Sequence, residues 1–317
     1  MRYLLVGNYG VGNLGDEALK EYFLKSFPDV EWQVLSAHPM MGEYPRLPAG
    51  LRSLFAPWWK TLGVLRKSQG MVFGGGTLFT DIESSYACFL WWVHAVVARI
   101  FHKPVLLAFQ GVGPFHTRVG EWFARRVFRH AAFISVRDEA SAKRVESWRL
   151  NKEIVQTFDP VFSLMQSQGS LKSTQNVFVI IPRNNSDATF RDQAIGFARE
   201  RNPESIVILT LKPDDAREQE VCRGLVTALD GQATIVPVRS LSVLLVEVGR
   251  ASSVLSQRYH GALAALALGK ELTVVPQGEG DKMEELTKMH DPQGLSALVR
   301  VGEDALKTML KSGIRPR

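Results

Sequence analysis

The segment Ser256-Gln257-Arg258-Tyr259-His260-Gly261 sets a permanent cation two residues ahead of an imidazole. It leads into a run of small residues, Gly261-Ala262-Leu263-Ala264-Ala265-Leu266-Ala267-Leu268-Gly269. Small side chains let a helix lie close on a sheet. The first turn of such a helix presents N–H groups without helical partners and a partial positive charge. A guanidinium there is a two-pronged donor to phosphate or carboxylate. An imidazole there titrates near neutral pH. The combination is an anion site with its own proton donor. Arg183, Lys212 and Arg239 follow other apolar runs of the second half, and Arg137 follows one in the first half. Each extends the cationic set; the alternative is local pairing, with acids such as Asp187, Asp214 or Asp215 in the second half and with a nearby acid for Arg137.

Glycine supplies the second signal. Gly7-Asn8-Tyr9-Gly10-Val11-Gly12-Asn13-Leu14-Gly15-Asp16-Glu17 follows the first apolar run and opens a helix. Gly10, Gly12 and Gly15 fit GxGxxG, which alone specifies little. A dinucleotide ribose also wants an acid at the end of the second strand, and His38 stands there. Asp16 is placed to face a sugar hydroxyl, with a helix cap as the alternative. Gly74-Gly75-Gly76-Thr77 and Gln110-Gly111-Val112-Gly113-Pro114 follow the third and fourth strands. Three glycine-rich turns on one sheet edge predict a ligand lying against the backbone, touched by Gly12, Asn13, Gly75, Gly76, Gln110 and Gly111. Gln277, ahead of Gly278-Glu279-Gly280, is a further binding candidate. HExxH, paired Asp and Cys/His cages are absent, so no metal is expected. Neither GxSxG nor GxxxxGK[ST] occurs, which leaves serine hydrolases and P-loop enzymes unsupported.

These residues need a scaffold that brings loop tips together. Short apolar runs at 3–6, 32–35, 71–73, 105–109, 133–136 and 154–155 read as strands. Helices are predicted between them at 16–26, 58–67, 86–101, 119–130 and 139–148. A polar stretch at 166–175 reads as a linker. Strands then recur at 177–181, 206–211, 234–236, 253–255 and 272–275, with helices at 190–200, 214–229, 242–250 and 261–268. Such alternation specifies parallel sheets covered by helices. The expected class is α/β, with two Rossmann-like domains, 1–165 and 166–317, facing a cleft. A last helix near 303–311 is expected to cross back onto the first domain. In open parallel sheets ligands bind beyond the carboxyl ends of the strands, where Arg137, Arg183, Lys212, Arg239 and Arg258 stand.

Bulk properties narrow the partners. With 317 residues and 45% hydrophobic content the chain can bury large cores. The charge of +6 (38 Lys and Arg against 32 Asp and Glu) is spread along the chain. It favours anionic ligands or an acidic membrane face, and no nucleic-acid motif accompanies it. Cys88 and Cys222 lack CxxC spacing and read as buried free thiols of a reducing compartment. The longest apolar segment, 86–101, is shorter than the roughly 20 residues of a membrane span and is read as a buried helix. Trp58, Trp59, Trp91 and Trp92 read as packing residues, with contact to a membrane surface as the alternative.

Taken together, the segments resemble the polysaccharide pyruvyl transferase family. The resemblance rests on Gly12-Asn13-Leu14-Gly15-Asp16-Glu17-Ala18, Gly74-Gly75-Gly76, Gln110-Gly111-Val112-Gly113-Pro114, Ser135-Val136-Arg137-Asp138, Asp159-Pro160 and Arg258-Tyr259-His260-Gly261, in the family's order. Tyr259 stands where many members have leucine. The resemblance implies a GT-B-like fold and transfer of pyruvate from phosphoenolpyruvate onto a sugar, closing a ketal across two hydroxyls. It implies His260 as general acid, and Arg258 and Arg137, with Arg183 and Lys212, as holders of the donor's anionic groups. Asp16 would orient or deprotonate the acceptor. Phosphoenolpyruvate is then a co-substrate, and no cofactor is expected. The implied acceptor is a lipid-linked or polymeric saccharide of a bacterial envelope, which implies a cytoplasmic enzyme near the inner membrane face. Two other readings fit the same elements. A GT-B glycosyltransferase would use a nucleotide sugar and wants an acid for the ribose, for which Glu279 is nearest. A non-catalytic sugar- or nucleotide-binding module is the other.

Overall fold

The computed structural model describes residues 1–48, 58–82, 84–167, 176–277, 283, 286 and 291–312. The chain forms two compact units, Met1–Val161 with Leu295–Arg317, and Phe162–Gly294. The first sheet comprises β1 (Arg2–Val6), β2 (Glu31–Ser36), β3 (Tyr44–Pro45), β4 (Met71–Phe79), β5 (Val105–Val112), β6 (Phe133–Val136) and β7 (Val155–Gln156). Its order is β3-β2-β1-β4-β5-β6-β7, parallel throughout. Helices α1 (Leu14–Ser26), α2 (Trp59–Lys67), α3 (Ser85–Ile100), α4 (Arg118–His130) and α5 (Glu139–Ser147) lie between strands in the sequence. Helices on both faces explain why β4 and β5 are apolar and buried almost end to end. Asn13, Ser84, Thr117 and Asp138 cap α1, α3, α4 and α5 with their side chains.

Two glycine segments expected as turns lie inside strands. β4 runs through Gly74-Gly75-Gly76 to Phe79, and β5 runs through Gln110-Gly111 to Val112. Gly75 and Gly76 take φ of 81° and 82°, and Phe109 takes 54°. The register shifts between Gly76 and Phe79 and between Leu107 and Gln110. These are bulges: the strand bends at left-handed residues and pairing resumes beyond them. The Phe109 conformation is held by its N–H, which donates to Ser135 Oγ at 2.8 Å.

The second sheet has β8 (Val177–Ile181), β9 (Ser205–Thr210), β10 (Ala233–Pro237), β11 (Ser253–Ser256) and β12 (Glu271–Val274). Its order is β10-β9-β8-β11-β12, again parallel. Helices α6 (Val161–Gln166), α7 (Ala188–Arg201), α8 (Ala216–Ala228), α9 (Leu241–Arg250) and α10 (Tyr259–Ala267) belong to this half of the sequence. Phe178, Ile180, Ile208 and Leu255 centre its core with Phe190 and Leu225. Most of the predicted linker, residues 168–175, lies outside the described residues. Cys88 and Cys222 are buried free thiols, which burial pushes up to about 12 and about 11.

The last helix, α11 (Pro292–Lys311), begins eleven residues ahead of the expected 303 and belongs from Leu295 onward to the first unit. Thr157 Oγ1 donates to Leu298 O at 2.7 Å, and Tyr3 OH donates to Leu310 O at 3.0 Å. Gly302 lets the helix approach the sheet: a methyl group there would lie 2.6 Å from Phe109 Cε1 and 2.7 Å from Thr157 Oγ1. Replacement of Gly302 by Val should therefore cost about 1–3 kcal/mol through overpacking. Urea unfolding reads this directly, and an unchanged midpoint would mean that α11 does not seat on Phe109.

Candidate active site

The carboxyl edge of the second sheet collects the cations. Arg258 follows β11 and is the N-cap of α10, whose first turn has no side-chain cap. By contrast Asp187, Asp215 and Ser240 cap α7, α8 and α9. Arg258 Nη2 forms an ion pair with Glu218 Oε2, and its Nε donates to Pro182 O at 3.3 Å. Glu218 is fully buried, and its other oxygen accepts from Thr210 Oγ1 at 3.0 Å and Lys212 N at 2.8 Å. Burial first, and then the charge of Arg183, lower the Arg258 guanidinium to about 10. It stays charged at neutral pH but gains from a further anion.

Arg183 follows β8. Its backbone N–H donates to Ser186 Oγ at 2.9 Å, while its buried Nε has no hydrogen-bond partner among the described residues. Two guanidinium groups thus repel each other across adjacent strand ends, with Glu218 offsetting only one of them. Ser186 Oγ donates to Gln257 Oε1 at 2.5 Å, and Gln277 Nε2 donates to Asn185 Oδ1 at 3.0 Å. His260 is half-buried in the first turn of α10, edge-on to the Tyr259 ring at 5.3 Å. Lys212 joins the edge through its backbone, and its side chain is exposed. Arg239 is taken out by a bidentate pair with Asp214, both bonds 2.8 Å. Glu279 lies outside the described residues.

The first unit has its own edge. The cap of α1 is Asn13, whose Oδ1 accepts from Gly15 N at 3.0 Å, so Asp16 does not serve as the cap. Asp16 instead accepts from Asn8 Nδ2 at 3.1 Å, and a methyl group at Gly76 would lie 3.3 Å from its Oδ1. Burial raises the Asp16 carboxyl to about 6, against the opposing effects of Asn8 and Arg137. A residue with its pKa there can accept a proton near neutral pH. Gly75 receives Leu19 of α1 at close range, and Gly12 is exposed with φ of 76°. Arg137 forms a buried ion pair with Asp159 and donates to Thr77 Oγ1 at 2.9 Å. Gly111 makes room for that guanidinium, whose Nε would lie 3.1 Å from an added methyl. Gln110 is fully buried, its amide donating to Phe73 O and Ala108 O. Gln110 and Gly111 thus serve the scaffold, and Arg137 spends charge on Asp159.

Sequence reasoning missed Glu218 and Arg46. Glu218 stands three residues after the cap Asp215, a spacing that reads as a helix-end carboxylate near solvent. Arg46 Nη2 donates to Gly7 O and Tyr9 O, both at 2.9 Å, and its guanidinium covers the Trp91 ring at 5.2 Å. It follows no predicted strand, because β3 is only two residues long.

The raised Asp16 value has a consequence for stability. The unfolded carboxyl ionises near the ordinary 3.8 and the folded one near 6. Between those values only the folded state holds the proton, so stability falls as pH rises through the window. Asp16→Asn should stabilise the protein at neutral pH by about 2 kcal/mol, and the gain should vanish at acid pH. Melting temperatures of both proteins across pH test this, and a constant difference would contradict a raised carboxyl.

Comparisons with known proteins bear on the fold and the family. In fold the chain is similar to UDP-N-acetylglucosamine 2-epimerase from Rickettsia bellii, with TM-score 0.60, 13% identity, and 99% and 97% of the two chains covered. It is also similar to the UDP-GlcNAc 2-epimerase from Neisseria meningitidis bound to UDP-GlcNAc, with TM-score 0.58, 10% identity, and 98% and 92% covered. An Anabaena protein solved with UDP gives TM-score 0.55, 11% identity, and 98% and 95% covered. At such identities the likeness is one of fold, the GT-B type. No curated protein is significantly similar in sequence. The profile of the polysaccharide pyruvyl transferases matches residues 13–277, which include Asp16, Arg137, Arg183, Arg258 and His260. The chain belongs to the polysaccharide pyruvyl transferase family.

Proposed function

We propose that this chain transfers pyruvate from phosphoenolpyruvate to a sugar of a cell-envelope polysaccharide or its lipid-linked precursor, forming a ketal. The observation that carries this reading is the Arg183–Arg258 pair beside an uncapped helix start and His260. Phosphoenolpyruvate brings a phosphate and a carboxylate, and two guanidinium groups with one buried counter-charge match that load. Arg258 and Arg183 are assigned to the two anionic groups. Lys212 and Gln277 are assigned to the rim.

His260 is assigned as general acid. It gives a proton to the methylene carbon, and the adjacent carbon becomes cationic. A sugar hydroxyl adds there, the C–O bond to phosphate breaks, and a second hydroxyl closes the ketal. The two hydroxyls release two protons: one restores His260, and the other leaves with phosphate. Asp16, with its carboxyl near 6, is assigned to the acceptor hydroxyl. Phosphoenolpyruvate is an intracellular metabolite, so this reading assigns the protein to the cytoplasm. Among the described residues, no helix is long and apolar enough to cross a membrane.

A second reading, a glycosyltransferase using a nucleotide sugar, draws support from the fold neighbours solved with UDP and UDP-GlcNAc. Thermal shift separates the two. Phosphoenolpyruvate should raise the melting temperature, and stabilisation by sugar nucleotides alone would exclude pyruvyl transfer. His260→Ala should lower phosphate release from phosphoenolpyruvate by roughly 10²–10⁴-fold with the melt little changed. Undiminished turnover would remove His260 as the acid.

A further inference from the structure

We propose that the face formed by helices α3 and α4 docks on an anionic phospholipid bilayer. A groove of about 990 Å³ lies along these helices and reaches the first residue of β5. Arg99, Lys103, Arg126, Arg129, His130 and Lys152 line it, and no Asp or Glu stands among the described residues that do. None of these cations forms an ion pair among the described residues. Arg99 Nη1 lies 3.2 Å from His130 Nε2. Burial, and then Arg99, Lys152, Arg126 and Arg129, push the His130 imidazole below its ordinary value, so these charges converge on one point. Cations at the last turns of α3 and α4 also answer the helix dipoles. That accounts for Arg99, Arg129 and His130, and Lys152 Nζ donates to the carbonyl of Ala131 at the end of α4, but neither accounts for Lys103 or Arg126.

The walls of the same groove are aromatic. Trp92 and Trp122 line it, with Arg126 over the Trp122 ring at 4.9 Å. Phe123 meets Trp92 at 5.2 Å and Phe89 at 5.3 Å, which extends the cluster along both helices. Large apolar side chains stay uncovered: Tyr86 is 48% exposed, Trp122 46%, Val119 57% and Ile100 66%. The stripe runs from the first turns, Tyr86 and Val119, to the end of α3 at Ile100. Amphipathic rings at the headgroup level and basic groups towards anionic lipid are what a bilayer surface selects.

Other occupants fit less of this. A two-fold dimer through the face would set the patch against its own copy, cation against cation. A small free anion would satisfy the groove but leave Val119, Ile100 and Tyr86 unexplained. Single-stranded nucleic acid could stack on the tryptophans, but aliphatic Val119 and Ile100 offer it no partner.

The test is flotation of the full chain with vesicles of phosphatidylcholine alone or mixed equally with phosphatidylglycerol. The protein should float with the mixed vesicles only, and added salt should release it. Arg126→Gln combined with Arg129→Gln should lower the partition coefficient roughly thirtyfold, and Trp122→Ala should lower it as well. All three positions are exposed, so far-ultraviolet circular dichroism should be unchanged. Failure to float at low salt would overturn the proposal, as would equal flotation of the variants. Binding to polyuridylate without vesicle binding would overturn it too, and so would a dimer that the Arg variants dissolve. None of these outcomes bears on turnover of phosphoenolpyruvate, so this proposal and the pyruvyl-transfer reading fail separately.

Discussion

The buried carboxylate of Glu218 ties together the ends of three strands in the second unit. One oxygen takes the Thr210 hydroxyl at the end of β9 and the Lys212 amide just beyond it. The other takes Arg258 after β11, which in turn reaches the carbonyl of Pro182 after β8. A charge with no access to water is tolerated only when paired and fully hydrogen-bonded. Strand ends, helix start and guanidinium must therefore keep their places together. Arg258 is presented with little conformational freedom left to lose on binding, which is what a preorganised anion site needs.

The two units treat charge in opposite ways. In the second, Arg183 and Arg258 repel each other, and only one buried carboxylate offsets them. At the sheet edge of the first, Arg137 pairs with Asp159 and Arg46 donates to three acceptors of the β1 loop. What the first edge leaves available is a carboxyl, Asp16, held by burial near the pH at which proton transfer is cheapest.

Most of the elements were legible in the sequence, because parallel strands are short apolar runs whatever covers them. β6 and β8 coincide with the runs at 133–136 and 177–181. The sequence misled at β4 and β5, where glycine usually means a turn and here means a bulge inside a strand. Two-residue β3 and six-residue α6 are too short to carry a period. The first part of α11 was overlooked although it carries a start signal, Pro292 at the first helical position and Asp291 Oδ1 accepting from Gln293 N–H at 3.0 Å. At the site, Arg258 and His260 stood out because a strand end and a helix start flank them. Glu218 did not, because which carboxylate of a helix turns inward depends on the strand ends it meets. The capping duty of Asn13 and the backbone duty of Gln110 were hidden for the same reason.

The chain passes out of the first unit at Val161 and returns at Leu295, so the second unit is in effect an insertion. Tyr3 and Leu310, hydrogen-bonded to each other, are 307 positions apart. A protein made from its amino end cannot form that bond until nearly the whole chain has been synthesised. Until then Phe109 and Thr157 lack the helix that covers them, while the inserted sheet already has all of its strands. The unit made first is therefore the one finished last, and the nascent chain carries an incomplete first core throughout synthesis of the second.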